Sequence, residues 1–211
     1  MQIPQIYKHR FIIFAMMIAR VLGSNTIKFT NVIRNNIILH KQMPSIYIDR
    51  DFQVSENLKK SIYSIEHIFP RSHLDKKDHN DMHNIVRTIN ELNTQRSNYR
   101  YHEEICPNDE NWIKLKFDNY VNHKNKLFVP NSASRGFISR SILYMSKEYD
   151  YNPSDVIDVD VLINWYYTYP PTKEERFHNE FIKKFQNRNN DFISKYGKKS
   201  KAIKSYLEKL L

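Results

Sequence analysis

Residues 61–70, which read SIYSIEHIFP, form a short and largely apolar run. β-Branched and aromatic residues surround a Glu-His pair there, and a proline closes the run. This composition predicts a short buried strand with two polar residues near its end. Residues 71–80 are polar and predict a loop. Residues 25–62 mix short apolar runs with charge and show no clear period, which indicates strands or irregular structure.

A helical pattern starts at Asp81. Ile85, Ile89 and Leu92 recur at i, i+4 and i+7, so the spacing predicts a helix with one apolar face that continues through Asn93. The following residues, 94–126, are mostly polar with scattered aromatics and predict irregular structure.

Three further helical patterns follow. The first has a shared apolar face made of Phe137, Ile138, Ile142, Met145 and Tyr149. The second covers about residues 154–167 and is stopped by Pro170 and Pro171. The third starts at Thr172, with Glu175 at capping-box spacing, and its apolar face consists of Phe177, Phe181, Ile182 and Phe185.

The basic tail, residues 195–211, has an amphipathic pattern. Its lysines are interleaved at helical spacing with Ile203, Tyr206, Leu207 and Leu210. A solvated terminal helix and a basic helix that lies on nucleic acid or a membrane both fit this pattern. No repeat or Gly/Ser linker divides the chain. We therefore expect a single α+β domain with helices in its second half.

The charge balance favours a polyanionic partner. The chain has 33 Lys and Arg against 23 Asp and Glu, a net charge of +10. Nucleic acid and anionic membrane surfaces are partners that suit such a charge. The same composition also fits a basic protein that binds neither. Cys106 is the only cysteine, which excludes an intramolecular disulfide and a Cys-based zinc site. With only three glycines in the chain, Gly136 indicates a backbone position that tolerates little else.

The N-terminal segment, residues 1–24, resembles a secretory signal. Lys8, His9 and Arg10 precede the apolar run 11–19, and small residues follow it. A short buried or interfacial helix is the alternative. The run is shorter than the roughly 20 residues that span a bilayer, so we expect no stable membrane insertion. The protein is secreted if this segment is a signal peptide and intracellular otherwise.

Glu66, His67 and Asn93 are the residues best suited to phosphodiester hydrolysis. Histidine can take a proton from water near neutral pH. A carboxylate and an amide oxygen can hold a hard cation that offsets phosphate charge. Adjacent strand residues point to opposite sides, so Glu66 and His67 share a site only if the strand ends or twists there. A histidine with a purely structural role at a strand end is the alternative.

Four ordered blocks resemble the endonuclease I family, whose members are ββα-metal (His-Me finger) nucleases. The blocks are SIEHIFP, HNIVRTINELNTQRSNYRY, FVPNSASRGFISRSILYM and NWYYTYPPTKEERFHNEFIKKFQNRNNDF, all between residue 61 and about residue 194. The resemblance implies a ββα-metal core with several packed helices in one nuclease domain, residues 25–194. It also implies a monomeric endonuclease that cuts DNA, and in some members RNA, with little sequence preference. The ion that the resemblance implies is one Mg²⁺ per site, for which Mn²⁺ or Ca²⁺ is expected to substitute.

The resemblance implies roles for individual residues. His67 falls on the general base, and Glu66 and Asn93 fall on the metal ligands. Arg96, Arg135 and Arg140 fall in blocks expected to contact nucleic acid. Supporting positions are His83, Asn84 and Asn98. Asn84 is expected to cap the predicted helix, and His83 to orient a neighbour.

The chain departs from the family pattern in places. A turn Gly and an acidic residue are missing where Thr94 and Gln95 stand. The insertion that carries the family's phosphate-binding arginine is short, and Arg71 or Arg87 is a candidate substitute. These departures put catalytic efficiency in question.

Competing interpretations remain open at this stage. One is a nucleic-acid-binding protein that has kept the fold and lost activity, and another is a nuclease with sequence-specific cutting. A third is a zinc module built from His67, His73, His79 and His83. Tyr99 and Tyr101 suit stacking on bases, although a tyrosine-rich protein buries most such rings in its core.

Overall fold

The computed structural model of the protein describes residues 44–49, 52 and 62–211. The predicted signal segment and most of the predictions for residues 25–62 lie outside these residues, as does the side chain of Phe185. Within the described residues, no helix is long and apolar enough to cross a membrane.

The described chain forms six strands and six α-helices. The strands are β1 (Tyr63–His67), β2 (Ile85–Ile89), β3 (Arg100–Tyr101), β4 (Trp112–Lys114), β5 (Tyr120–Asn122) and β6 (Leu127–Val129). The helices are α1 (Asn90–Arg96), α2 (Ser132–Tyr149), α3 (Val159–Thr168), α4 (Lys173–Gln186), α5 (Asp191–Ser194) and α6 (Lys201–Leu210). This α+β arrangement agrees with the predicted fold class.

Strands β1 and β2 pair antiparallel, with Glu66 opposite Val86 and His67 opposite Ile85. The strand predicted within residues 61–70 is therefore confirmed. The helix predicted from Asp81 is wrong, because residues 85–89 are extended and the helix begins only at Asn90. The i, i+4 spacing of Ile85 and Ile89 is also that of two residues on one face of a strand, and β-branched residues favour the strand. The result is a continuous ββα unit.

The side chain of Asn84 joins the two strands at the loop end of this hairpin. Its Oδ1 accepts from the backbone N–H of Phe69 at 2.7 Å, and its Nδ2 donates to the Phe69 carbonyl at 3.0 Å. The side chain thus continues the β1–β2 ladder as far as Phe69, just before Pro70. Asn84 precedes a strand, so the expectation that it caps a helix is wrong.

Three of the four strands of a second sheet, β3, β4 and β5, lie in the region predicted to be irregular. Its order is β3-β6-β5-β4, with β3 and β6 parallel and the other pairs antiparallel. The prediction failed because each strand has only two or three residues, too few for a period to show.

Helix α2 runs through the centre of the core. Asn131 caps it by accepting from the Ser134 N–H, and most of its residues from Ser134 to Ser146 are buried. Gly136 lies where α2 meets the turn after α3: a Cβ there would stand 2.4 Å from the Tyr169 carbonyl oxygen. The expectation that this glycine tolerates little else is confirmed.

The remaining helices close around α2. Thr172 caps α4, as predicted, by accepting from the Glu175 N–H. The Glu175 carboxylate does not complete a capping box and instead binds Arg140. Phe181 and Ile182 are buried as predicted, and Ile203 and Leu207 bury one face of α6.

Candidate active site

A cleft of about 360 Å³ opens where β1 ends and α1 begins. Its walls come from the end of β1, the turn after Pro70 and the exposed side of α1. The lining residues are Ile65, Glu66, His67, Pro70, Arg71, Ser72, Asn93, Arg96, Ser97 and Asn98. The structure therefore brings Glu66, His67 and Asn93 to one cleft. Because β1 ends at His67, the two neighbouring side chains both reach it.

Glu66 lies at the inner wall and is only 2% exposed. Its Oε1 accepts from the Tyr47 hydroxyl at 3.0 Å and lies 3.3 Å from Nε of Arg96. Behind these groups, the Tyr47 and Tyr101 hydroxyls are 2.7 Å apart. Burial raises the pKa of Tyr47, which keeps its hydroxyl protonated as a donor. The network holds one carboxylate oxygen in place and rigidly orients the other.

Burial also raises the pKa of Glu66, to about 7, although the Arg96 charge and the Tyr47 hydrogen bond oppose this. A buried carboxylate with a single cationic neighbour is not fully stabilised in its charged form. A cation in the cleft would supply the missing positive charge.

His67 is oriented by a backbone carbonyl. Its Nε2 lies 2.9 Å from the carbonyl oxygen of His79. A carbonyl oxygen can only accept, so in the neutral ring Nε2 carries the proton and Nδ1 carries the lone pair. This tautomer gives the imidazole a defined basic nitrogen.

Asn93 is held by its amide nitrogen, which donates to Ser64 Oγ at 2.9 Å and to the Ile65 carbonyl at 3.0 Å. These two bonds bind α1 to β1 and fix which end of the amide is oxygen. A cation ligand requires that oxygen.

The residues present fit a hard divalent cation. Glu66 and Asn93 offer one carboxylate and one amide oxygen beside a cleft with room for water and phosphate. Mg²⁺ characteristically takes one or two carboxylates and keeps several waters. The described residues contain no group of three or more His, Cys, Asp or Glu that could hold a metal. The four-histidine zinc module is therefore not formed: His83, for example, has its Nε2 3.2 Å from the Arg188 carbonyl oxygen.

Two of the arginines predicted to bind nucleic acid are buried. Arg96 is 1% exposed and donates to the carbonyls of His67 and Ile68 as well as lying beside Glu66. Arg140 is also 1% exposed and makes a two-pronged ion pair with Glu175. Both guanidinium groups are engaged by buried carboxylates. Burial does not favour these two assignments, and the contacts of Arg96 and Arg140 with nucleic acid stay predictions.

The other predicted residues are spread over the fold. Arg135 is half-buried, donates to the Glu103 carbonyl at 2.7 Å and packs over the Trp165 ring, away from the cleft lining. His83 is buried against the Tyr144 ring. Asn98 lies in the cleft wall, where its Nδ2 is 3.4 Å from Ser72 Oγ.

Sequence reasoning missed the residues that support the site. Tyr47 is brought beside β2 by a backbone bond from Ile46 to the Arg87 carbonyl, and nothing in its local pattern indicated this. Tyr101 is fully buried and contacts the Arg96 guanidinium with its ring, which excludes stacking on bases. His79 was considered only as a zinc ligand, yet its carbonyl orients His67.

A β-hairpin followed directly by a helix, with Glu, His and Asn converging on one cleft, is the arrangement of the ββα-metal nucleases. Comparison with known proteins agrees with this class. The family model described as Endonuclease I matches residues 3–196. The chain belongs to the endonuclease I family.

Curated relatives support the same family. An Endonuclease-1 of Buchnera aphidicola subsp. Acyrthosiphon pisum is 29% identical over 119 residues, which are 55% of this chain and 45% of that protein. An extracellular deoxyribonuclease of Aeromonas hydrophila is 32% identical over 117 residues, 54% of this chain and 49% of the relative. A periplasmic deoxyribonuclease of Aeromonas hydrophila is 30% identical over 116 residues, 54% of this chain and 47% of the relative. The matched region spans about half the length of these relatives.

Proposed function

We propose that the protein is a metal-dependent endonuclease that hydrolyses phosphodiester bonds of DNA with little sequence preference. The observation that carries the proposal is the convergence of Glu66, His67 and Asn93 on one cleft of a ββα unit. Family membership and the names of the deoxyribonuclease relatives support DNA as the substrate. The net charge of +10 suits a polyanion.

Each residue has a defined part in the reaction. Nδ1 of His67 accepts a proton from a water molecule as its oxygen bonds to phosphorus. The bond between phosphorus and the leaving oxygen then breaks, and that oxygen takes a proton from solvent. Glu66 and Asn93 would hold a divalent cation, which would offset charge on the phosphate and the leaving oxygen. Arg96 and Tyr47 keep Glu66 in place.

Low sequence preference is part of the proposal. The groups proposed to act are those that address phosphate and water, and contacts of this kind carry no sequence information. Asn98 and Ser72, at the cleft wall, suit contacts to the sugar-phosphate backbone.

Plasmid digestion tests the proposal. Supercoiled DNA incubated with the protein and Mg²⁺ should be nicked, then linearised, then reduced to a smear, and excess chelator should stop the reaction. Binding without nicking at high protein concentration would identify a binding protein that has lost activity. Discrete fragments would contradict the expected lack of sequence preference, and single-stranded RNA in a parallel reaction would show whether RNA is cut.

A further inference from the structure

Arg71 is the exposed cation at the mouth of the cleft. It begins a 3₁₀ turn directly after Pro70 and lines the same cleft as Glu66, His67 and Asn93. Among the cleft-lining residues that the structure describes, Arg96 is the other arginine, and its guanidinium is buried. Arg87, the second candidate suggested by the sequence, is not part of the cleft wall and donates from Nε to Ser45 Oγ.

Among the residues that the structure describes, no acidic side chain neutralises the positive charge of Arg71. Within the described part of the chain, no ion pair involves Arg71, whereas Arg96, Arg100 and Arg140 each pair with a carboxylate. Instead, a guanidinium nitrogen of Arg71 lies 3.4 Å from Nδ1 of His79. A neutral acceptor orients the guanidinium and leaves its charge available to a ligand.

His79 is suited to this role by its own hydrogen bonds. Its Nε2 lies 3.2 Å from the Leu74 carbonyl oxygen, which can only accept, so Nε2 is the protonated nitrogen of the neutral ring. Nδ1 then presents its lone pair to Arg71. The carbonyl of the same residue receives Nε2 of His67. One half-buried residue therefore contacts both the proposed base and the exposed arginine.

We propose that Arg71 binds a phosphate of the substrate at the cleft and that His79 is a positioning residue that holds its guanidinium. Because the ring of His79 contacts Arg71 while its carbonyl contacts His67, the loop sets the spacing between the phosphate anchor and the base. The planar guanidinium suits two-pronged binding to phosphate oxygens. This inference rests on the proposed function for the identity of the substrate.

Three variants test the anchor: Arg71→Ala, Arg71→Lys and, as the matched control, Lys76→Ala. Lys76 is an exposed cation of the same loop outside the cleft wall, so its removal changes the net charge equally. For cleavage of a defined DNA duplex we expect kcat/KM to fall on the order of 100-fold in Arg71→Ala. The fall should be about tenfold in Arg71→Lys, and less than about threefold in Lys76→Ala because an exposed distant charge is screened. Equal effects of Arg71→Ala and Lys76→Ala on kcat/KM would contradict the proposal that Arg71 binds a phosphate of the substrate.

A double-mutant cycle tests the positioning role of His79. His79→Phe keeps the ring shape and removes the acceptor for Arg71. We expect a loss of about tenfold in kcat/KM in the wild-type background and less than about twofold in Arg71→Ala, because the two residues act as one unit. His79→Gln, which restores an acceptor and a donor, should recover most of the activity. Equal losses in both backgrounds, or no recovery in the glutamine variant, would show that His79 supports only the loop.

A binding measurement separates this inference from the proposed function. In a His67→Ala background, anisotropy of a fluorescent duplex should show weaker binding for Arg71→Ala than for Lys76→Ala, with a smaller dependence on salt. If the wild type does not cut DNA but this difference holds, the proposed function fails and the phosphate anchor stands. If the wild type cuts and the two variants bind equally, only the anchor fails.

Discussion

Glu66 and His67 are neighbours in the chain but are supported in different ways. The carboxylate is held from within the core by Tyr47 and Arg96, whereas the imidazole is held by a carbonyl of the loop after β1. The end of the strand permits this division, because the chain leaves the sheet just after His67. The proposed metal ligand, which must stay fixed, and the proposed base, which must exchange protons with solvent, thus lie side by side.

Replacing His67, the proposed base, should lower the rate of cleavage and leave the affinity for DNA nearly unchanged. We expect His67→Ala to lower the cleavage rate by at least about 100-fold, since general base catalysis contributes about 10²–10⁴-fold. Affinity for a duplex should stay within about threefold, because the proposed phosphate contacts remain. Rates from plasmid nicking and affinities from anisotropy would check both, and near-normal turnover would contradict the assigned role.

Replacing Glu66, the proposed metal ligand, should instead weaken the binding of the metal ion. Glu66→Gln keeps the shape of the side chain but removes its charge, so the Mg²⁺ concentration for half-maximal activity should rise by about tenfold or more. His67→Ala, measured with the same titration at high enzyme concentration, is the matched control and should keep the wild-type Mg²⁺ dependence. An unchanged midpoint in Glu66→Gln would count against Glu66 as a ligand.

At the scale of elements, charged side chains predicted for the surface instead join helices. Arg140 of α2 and Glu175 of α4 form a buried pair, with Nε–Oε1 at 2.6 Å and Nη2–Oε2 at 2.7 Å. The hydrophobic pattern of each helix indicated which face is buried, and the pair lies on those faces. An arginine in a basic chain looks available for DNA until its partner in another helix is known.

Arg140→Ala should therefore affect stability and not DNA affinity. The substitution leaves the Glu175 carboxylate buried without its cation. We expect the free energy of unfolding to decrease by about 3–5 kcal/mol. The half-buried Arg135, which bonds to main-chain carbonyls, is the control, and its alanine variant should lose less. Urea unfolding would give both values. If the Arg140→Ala protein were stable and bound DNA weakly, that result would support the contact with nucleic acid that the sequence suggested.

At the scale of the whole molecule, packing buries a histidine and makes stability depend on pH. Burial, with a smaller effect of the nearby His83, lowers the pKa of His178 from 6.5 to about 3. Its Nε2 is buried with no hydrogen-bond partner among the described residues. The ring packs against Phe137 and stays neutral in the folded protein.

The sign of this dependence follows from proton uptake on unfolding. The unfolded chain protonates His178 below about pH 6.5, whereas the folded protein does not until about pH 3. The contribution of the neutral His178 to the stability of the folded protein is complete above pH 6.5. As the pH falls from 7 to 5, the free energy of unfolding should decrease by about 2 kcal/mol through this histidine. Urea unfolding of the wild type and of His178→Phe at both pH values would measure the difference. Glu66, with its raised pKa, contributes with the opposite sign in both proteins, so the comparison cancels it. An equal loss in both would contradict this origin.

Local patterns in the sequence determined much of the protein. The strand before Pro70, the helices of the second half, the Thr172 cap and the close packing at Gly136 follow from residue type and spacing, because propensity, capping and period act between near neighbours. The motif resemblance also identified Glu66, His67 and Asn93 as candidate site residues, and the fold places all three at one cleft.

Only the tertiary structure decided which charges are buried and which line the cleft. The pairing of residues 85–89 with β1 overrode a helical period, since a short apolar run takes the form that its partner requires. Arg96 and Arg140 are buried by carboxylates distant in sequence, and Tyr47 joins the site from an earlier segment. Such contacts depend on where separate elements meet, which no local pattern encodes.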